Sequence, residues 1–230
     1  MKTIGILGGM SWESTVEYYR ILNTTVKERL GGLHSARCLM HSVDFGPVAA
    51  WLAEGRWDLI DEHLSAAALG LKNAGADFLI IATNTMHQVA DSVAAKTGLP
   101  LLHIAEASAD ELEKAGTKRV GLLGTKPTME MDFYRKILAQ RGLEVLIPEE
   151  ADRVALHRII FEELCLGIIN EESRRTGLAL IDRLAARGAE GMLLACTELG
   201  LLFRPQDTPL PLFDTAVIHA RAAALKAVEE

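Results

Sequence analysis

The sequence predicts an α/β protein of two pseudo-symmetric domains, each a parallel sheet flanked by helices. Three observations carry that prediction. First, TIGILGG from Thr3, DFLIIAT from Asp77, RVGLLGT from Arg119 and GMLLACT from Gly191 are continuously apolar runs of strand length. They do not alternate, which suits strands covered on both faces of a parallel sheet. Second, longer segments of helical period fill the gaps and stop at glycine. Third, three blocks recur in the same order. KTIGILGG at Lys2 returns as KRVGLLGT at Lys118, 116 residues later. GADFLIIATN at Gly75 returns as GAEGMLLACT at Gly188, 113 later, and LPLLHIAE at Leu99 as LPLFDTAV at Leu210, 111 later. Two repeats of that length are too long and too few for a solenoid, and read as two α/β halves.

The remaining elements follow in order. Weaker strands are expected at CLMHSVDF from Cys38, LPLLHI from Leu99, LEVLIP from Leu143 and LPLFD from Leu210. Between Trp57 and Ala74, residues Trp57, Ile60, Leu64, Ala67 and Leu71 recur at spacings of three and four, with Gly75 as the stop. A helix over Thr128 to Arg141 should turn Phe133, Ile137 and Leu138 inward before Gly142. Another should run from Glu171 to Arg187 and end at Gly188.

Composition narrows the function. The 230 residues are 49% hydrophobic and 24% charged, with net charge −7 and pI near 5.6. Binding a polyanion relies on clustered Lys and Arg, so a nucleic-acid partner and an anionic membrane surface are both disfavoured. No apolar run approaches the ~18 residues that span a bilayer. MKTIGILGGMSWE is broken early by Gly8, Gly9 and Glu13 and reads as a first strand, not a leader. Cys38, Cys165 and Cys196 are widely spaced, without C-x-x-C, so neither a zinc cluster nor a disulfide framework is indicated. A reduced, cytoplasmic protein is expected.

The repeat also points at a site. Ligands of open α/β sheets bind outside the carboxyl ends of the strands, and two facing halves would share one cleft there. The repeat pairs Gly8 and Gly9 with Gly124 and Thr125, Thr83 with Cys196, Asn84 with Thr197, and Thr85 with Glu198. Polar groups at such ends can hold a carboxylate, helped by the next helix N-terminus. Asn84, Thr85 and Thr197 could equally cap those helices. Cys196 could be a packed small side chain, but a helix beginning at Thr197 would lower its pKa and favour the thiolate. Cys38 within a strand and Cys165 within FEELCLG look structural. G-x-G-x-x-G, the phosphate-binding loop, G-x-S-x-G and H-E-x-x-H are all missing. The seven histidines lack metal-ligand spacing, although His87 lies one helical turn beyond Thr83; His103 and His219 look isolated.

GILGGMSWEST, ATNTMH, LLACTELG and LPLFDTA together resemble the aspartate/glutamate racemase family over nearly the whole chain, and most of all its bacterial members specific for L-aspartate and L-glutamate. The resemblance implies a cofactor-independent amino-acid racemase without metal, with the active site in the cleft between two domains and a homodimeric assembly. Its catalytic pair would be Cys196 and Thr83, and its substrate contacts Met10, Asn84, Thr85, Thr125, Thr197 and Glu198. The family's usual first motif reads C-N-T, and here it is Thr83-Asn84-Thr85. A hydroxyl is too weak an acid to rest as a base, but it can relay a proton to a carbanion. Cys165 stands where many aspartate racemases carry Lys, which alters recognition of the side-chain carboxylate. The implied domains are 1–100 with 210–230, and 101–209. A decarboxylase needing one cysteine, and an idle amino-acid-binding homologue, are the alternatives.

Overall fold

A computed structural model describes residues 1–229. The chain divides into two compact units: Met1–Ile104 joined by the chain from His219 onward, and Ala105–Ile218.

The first unit contains β1 (Ile4–Gly8), α1 (Trp12–Leu30), β2 (Cys38–Ser42), α2 (Phe45–Ala53), α3 (Trp57–Asn73), β3 (Phe78–Ile81) and α4 (Ala90–Thr97). Its strands are parallel in the order β2-β1-β3. The non-alternating runs of β1 and β3 are buried throughout. The helical stripe sits where its period puts it: Ile60, Leu64, Ala67 and Leu71 of α3 pack against Leu7, Leu79 and Ile81.

The second unit contains α5 (Ile104–Lys114), which starts on the last residue of the first unit, and then β4 (Arg119–Gly124) and α6 (Lys126–Glu130). It continues with α7 (Asp132–Gln140), β5 (Glu144–Leu146), α8 (Glu150–Glu162), α9 (Glu171–Ala186), β6 (Gly191–Ala195), α10 (Leu199–Leu202) and β7 (Leu212–Asp214). The last helix, α11 (Thr215–Val228), begins here and ends in the first unit. The sheet order is β5-β4-β6-β7, all parallel. Leu123, Ile160, Ile181, Leu184, Met192 and Leu194 form the core.

The repeat is realised register for register. Ile4 pairs with Phe78 and Val120 with Gly191, while Leu79 bridges Leu101 and Met192 pairs with Leu212. These couples are related by the same offsets that align the sequence blocks. β1 with β3 is therefore built as β4 with β6 is.

Three expectations are corrected. LPLLHI forms a single bridge at Leu101 instead of a strand, because α5 begins at Ile104 and ends the extended run. The helix expected over Thr128 to Arg141 breaks at Met131, whose ψ of 156° is extended. The buried positions of its second half are Tyr134 and Leu138; Phe133 and Ile137 are only half-buried. Tyr134 is drawn inward because its hydroxyl meets Ser108 at 3.1 Å. The return to the first unit comes at His219 and not near residue 210, since β7 hydrogen-bonds to β6. Among the described residues no helix is long and apolar enough to cross a membrane.

Glycine is needed where β1 turns into α1. Gly9 has φ +90°, and a Cβ there would lie 2.3 Å from the Val43 carbonyl oxygen and 2.7 Å from the Val43 nitrogen. Backbone atoms cannot retreat as a side-chain tip can. Gly9→Ala should cost well over the ~1–2 kcal/mol that positive φ alone imposes. Gly55→Ala, at φ +70° with nothing within 4 Å, should cost only that conformational part. Urea denaturation of both variants checks the difference; equal losses would mean that the Val43 approach is not tight.

Candidate active site

In the second unit β6 ends at Ala195, and the next three residues converge on one carboxylate. The Cys196 thiol donates to Glu198 Oε2 at 3.0 Å, and the Thr197 hydroxyl donates to the same oxygen at 2.8 Å. Cys196 and Glu198 are both buried. Burial pushes the thiol well above its usual pKa, and the adjacent Glu198 charge pushes it further. Both effects favour the neutral thiol over the thiolate. This overturns the expected helix-lowered thiolate. The helix that follows has only four residues, begins at Leu199, and has Glu198 at its N-cap position, so a full negative charge lies nearer the sulfur than any helix dipole. Cys165 is likewise not a bystander: it lies in a 3₁₀ turn (Leu164–Leu166), packs on the same core as Cys196, and adds to the upward push on its thiol. Cys38 is half-buried on β2.

Next to β6, β4 ends at Gly124, the register partner of Ala195. Thr125 follows and caps α6, its Oγ1 accepting from Thr128 N–H and lying 3.0 Å from the Thr128 hydroxyl. The Lys126 N–H goes to His157 Nδ1 at 3.2 Å. In the first unit the Gly9 N–H is likewise taken, by Thr15 Oγ1 at 2.9 Å. Of the amides just past these strand ends, those of Gly9 and Lys126 are thus satisfied internally.

β3 ends at Ile81 beside β1, and Thr83, Asn84 and Thr85 follow, all buried. Asn84 precedes a 3₁₀ turn (Thr85–Val89) without a capping bond from its side chain. Met10, two residues past β1, is buried as well. Thr83, Asn84, Thr85 and Met10 thus gather at the neighbouring strand ends of the first unit, and Thr125, Cys196, Thr197 and Glu198 at those of the second.

What the sequence did not reveal is a histidine cluster behind Thr83, in which His87 and His219 are buried and His103 is half-buried. The ring centroids of His87 and His103 are 4.5 Å apart and those of His87 and His219 are 5.6 Å apart. His87 Nε2 accepts from Ile104 N–H at 3.2 Å, so its proton sits on Nδ1 and is donated to the Thr83 carbonyl at 2.8 Å. His219 has the opposite tautomer: Nε2–H donates to the Leu102 carbonyl at 2.8 Å, and Nδ1 accepts from the Tyr18 hydroxyl at 2.9 Å. Positions 87, 103 and 219 have no common spacing, so only the fold groups them. Among the described residues no three His, Cys, Asp or Glu side chains are arranged to hold a metal ion.

Two parallel α/β units of matching register, with polar strand ends and a buried thiol, define the class. The chain matches the Asp/Glu/Hydantoin racemase family over residues 7–223 and belongs to it. It is 25% identical to the broad specificity amino-acid racemase RacX of Bacillus subtilis (strain 168), over 95% of each chain. Among solved structures it is similar to a chain assigned as an Asp/Glu racemase from Yersinia pestis, with 50% identity, TM-score 0.92 and full coverage of both chains. It also resembles an aspartate racemase homologue from Pyrococcus horikoshii OT3, with 35% identity, TM-score 0.84 and full coverage of both.

The histidine cluster predicts a pH response of stability. Burial lowers the pKa of His103 and of His219 to about 4, and that of His87 well below its ordinary value. The unfolded chain therefore binds more protons than the folded one between pH 6.5 and 4. The stabilisation is complete above pH 6.5 and falls through that window, at up to ~1.4 kcal/mol per pH unit for each histidine. The melting temperature should drop continuously from pH 6.5 to 4.5, a range above that in which the ion-paired carboxylates Asp58, Asp61 and Asp207, whose pKa values are lowered, become protonated. A flat melting temperature down to pH 4.5 would contradict a neutral histidine cluster.

Proposed function

We propose that this protein is a cofactor-independent racemase of acidic amino acids, L-glutamate and L-aspartate, working by removal and return of the α-proton. The observation that carries the reading is the Cys196–Glu198 hydrogen bond at the end of β6. A thiol must lose its proton before it can act as a base, and Glu198 Oε2 is the acceptor at 3.0 Å. Once the proton has moved to Glu198, the incoming ammonium group offsets the negative charge of the thiolate. The thiolate then takes the α-proton of the L-enantiomer, leaving a carbanion conjugated with the carboxylate. On the opposite face the Thr83 hydroxyl delivers its proton to carbon as it takes one from water, and Glu198 releases its proton to the resulting hydroxide, so that Cys196, Thr83 and Glu198 return to their resting states. Asn84, Thr85, Thr125, Thr197 and Met10 line the substrate position, and a hydrogen bond from the Asn84 side-chain amide to the carboxylate stabilises the charge that develops.

Family membership and likeness to assigned Asp/Glu racemases support the reaction class, and the RacX likeness supports an amino-acid substrate. The decarboxylase reading draws on one specific observation: a resting thiol is already a proton donor, which is all that an enediolate formed by CO₂ loss requires. Incubation with a substituted malonate and measurement of released CO₂ separates the two.

The direct test is proton NMR of L-glutamate and L-aspartate with the protein in D₂O. Loss of the α-proton signal is expected. Cys196→Ala should slow it by at least the ~10²-fold that a positioned base supplies, while Cys38→Ala stays near the wild-type rate. Equal loss in both would indicate misfolding and remove the assignment. Glu198→Gln keeps a hydrogen-bond partner for the thiol but not a proton acceptor, so kcat should fall by ~10-fold or more with KM little changed. An unchanged kcat would show that Glu198 takes no proton.

A further inference from the structure

Thr83 reaches its position differently from Cys196. The pairing of β3 with β1 ends at Ile81, and the repeat puts Thr85 where the second unit has Glu198. No carboxylate on its own loop is therefore available to grip Thr83. The bond from His87 Nδ1–H to the Thr83 carbonyl takes that place, and Nε2 anchors the same ring to the Ile104 N–H. Ile104 is the last residue of the first unit before the chain leaves it, and His219 is the residue on which the chain returns. His219 in turn fixes Leu102 through its carbonyl and is itself fixed by Tyr18. His87 thus spans from the Thr83 strand end to a segment held twice over.

We infer that His87 is a positioning residue for Thr83: its ring, bonded at both nitrogens between the Thr83 carbonyl and the Ile104 amide, sets the direction in which the Thr83 hydroxyl points during proton relay. The inference rests on the reading that Thr83 serves one face of the substrate. The carbonyl bond constrains rotation about the Thr83 backbone, and with it the Cα–Cβ direction. Displacement of a reacting group by about 1 Å can cost ~10²-fold in rate, so even partial loosening should be visible. The ring acts in one protonation state only. A proton added at Nε2 would face the Ile104 N–H, and burial beside His103 and His219 opposes that charge.

Two isosteric substitutions separate the bonds. In His87→Asn the side-chain NH₂ lies near the former Nδ1 and can still donate to Thr83, but nothing reaches Ile104. In His87→Gln the amide oxygen lies near the former Nε2 and can still accept from Ile104, but the donor to Thr83 is gone. Both side chains are neutral. The readout is a ratio measured in one D₂O sample: D-enantiomer formed per L-enantiomer deuterated with retention. Retention needs only the Cys196 face, and inversion needs Thr83. His87→Gln should lower the ratio by ~10-fold or more, while L-side exchange stays within ~3-fold of wild type. His87→Asn should restore the ratio to within ~3-fold. An unchanged ratio in His87→Gln, or equal losses in both variants, overturns the inference. Should the variants not fold, ¹⁵N NMR of the wild type decides: a proton on Nδ1 and none on Nε2 of His87 supports it, and the reverse tautomer overturns it. Wild-type protein that exchanges no α-proton from either amino acid refutes the racemase reading itself, a result seen before any variant is made.

Discussion

The chemistry proposed for this protein turns on one hydrogen bond, from the Cys196 thiol to Glu198 Oε2. A buried sulfur beside a buried carboxylate is held as the thiol, because two negative charges a few ångströms apart in a low-dielectric site are mutually costly. The same carboxylate accepts from Thr197, so three consecutive residues at the end of β6 form one unit in which a proton has a defined donor and a defined acceptor. Such a site is quiescent until a cation enters it. In the proposed reaction the ammonium group of an amino acid supplies that cation, which ties activation of the base to arrival of the substrate.

Two halves built to one plan carry unlike tips. The strand registers of the two units coincide under the repeat, yet Thr83 stands where the other unit has Cys196, and Thr85 where it has Glu198. The difference continues behind the tips. His87 corresponds to Gly200 and His103 to Asp214 under the same offsets. In the first unit two rings meet there at 4.5 Å. In the second the glycine leaves room for the Asp214 carboxylate, whose Oδ2 would lie 2.3 Å from a Cβ at position 200. Asp214 also caps α11, its Oδ1 accepting from Ala216 and Val217. Each half thus solves the packing beneath its strand end with a different pair. One supports a hydroxyl through its backbone, and the other leaves the thiol to its own loop.

The fold was legible where the physics is local and repetitive. Continuous apolar runs such as GILG and FLII mark strands buried on both faces, and the Trp57–Leu71 stripe marks a helix by period alone. The break at Met131 was not legible, because no glycine or proline marks it in the sequence, and the burial of Tyr134, which meets Ser108, is a tertiary contact. The strand-end residues could be picked out from the repeat, but their electrostatics could not. A helix N-terminus after Cys196 was a reasonable expectation from pattern; that the helix is four residues long and is led by a carboxylate turned back to the sulfur depends on a side-chain conformation. The histidine cluster was hidden for a plainer reason: its members are separated by 16 and 116 residues in sequence and meet only once the chain has left the first unit and returned.

The most direct test of this account is the ultraviolet thiolate absorbance of the resting protein against pH, taken as the difference between wild type and Cys196→Ser. With burial and Glu198 both opposing ionisation, the difference spectrum should show no thiolate from pH 6 to 9, and one should appear at constant pH when an unreactive amino-acid analogue bearing an ammonium group is added. A thiolate that titrates below pH 8 in the ligand-free protein would contradict the claim that Glu198 holds Cys196 protonated until substrate binds.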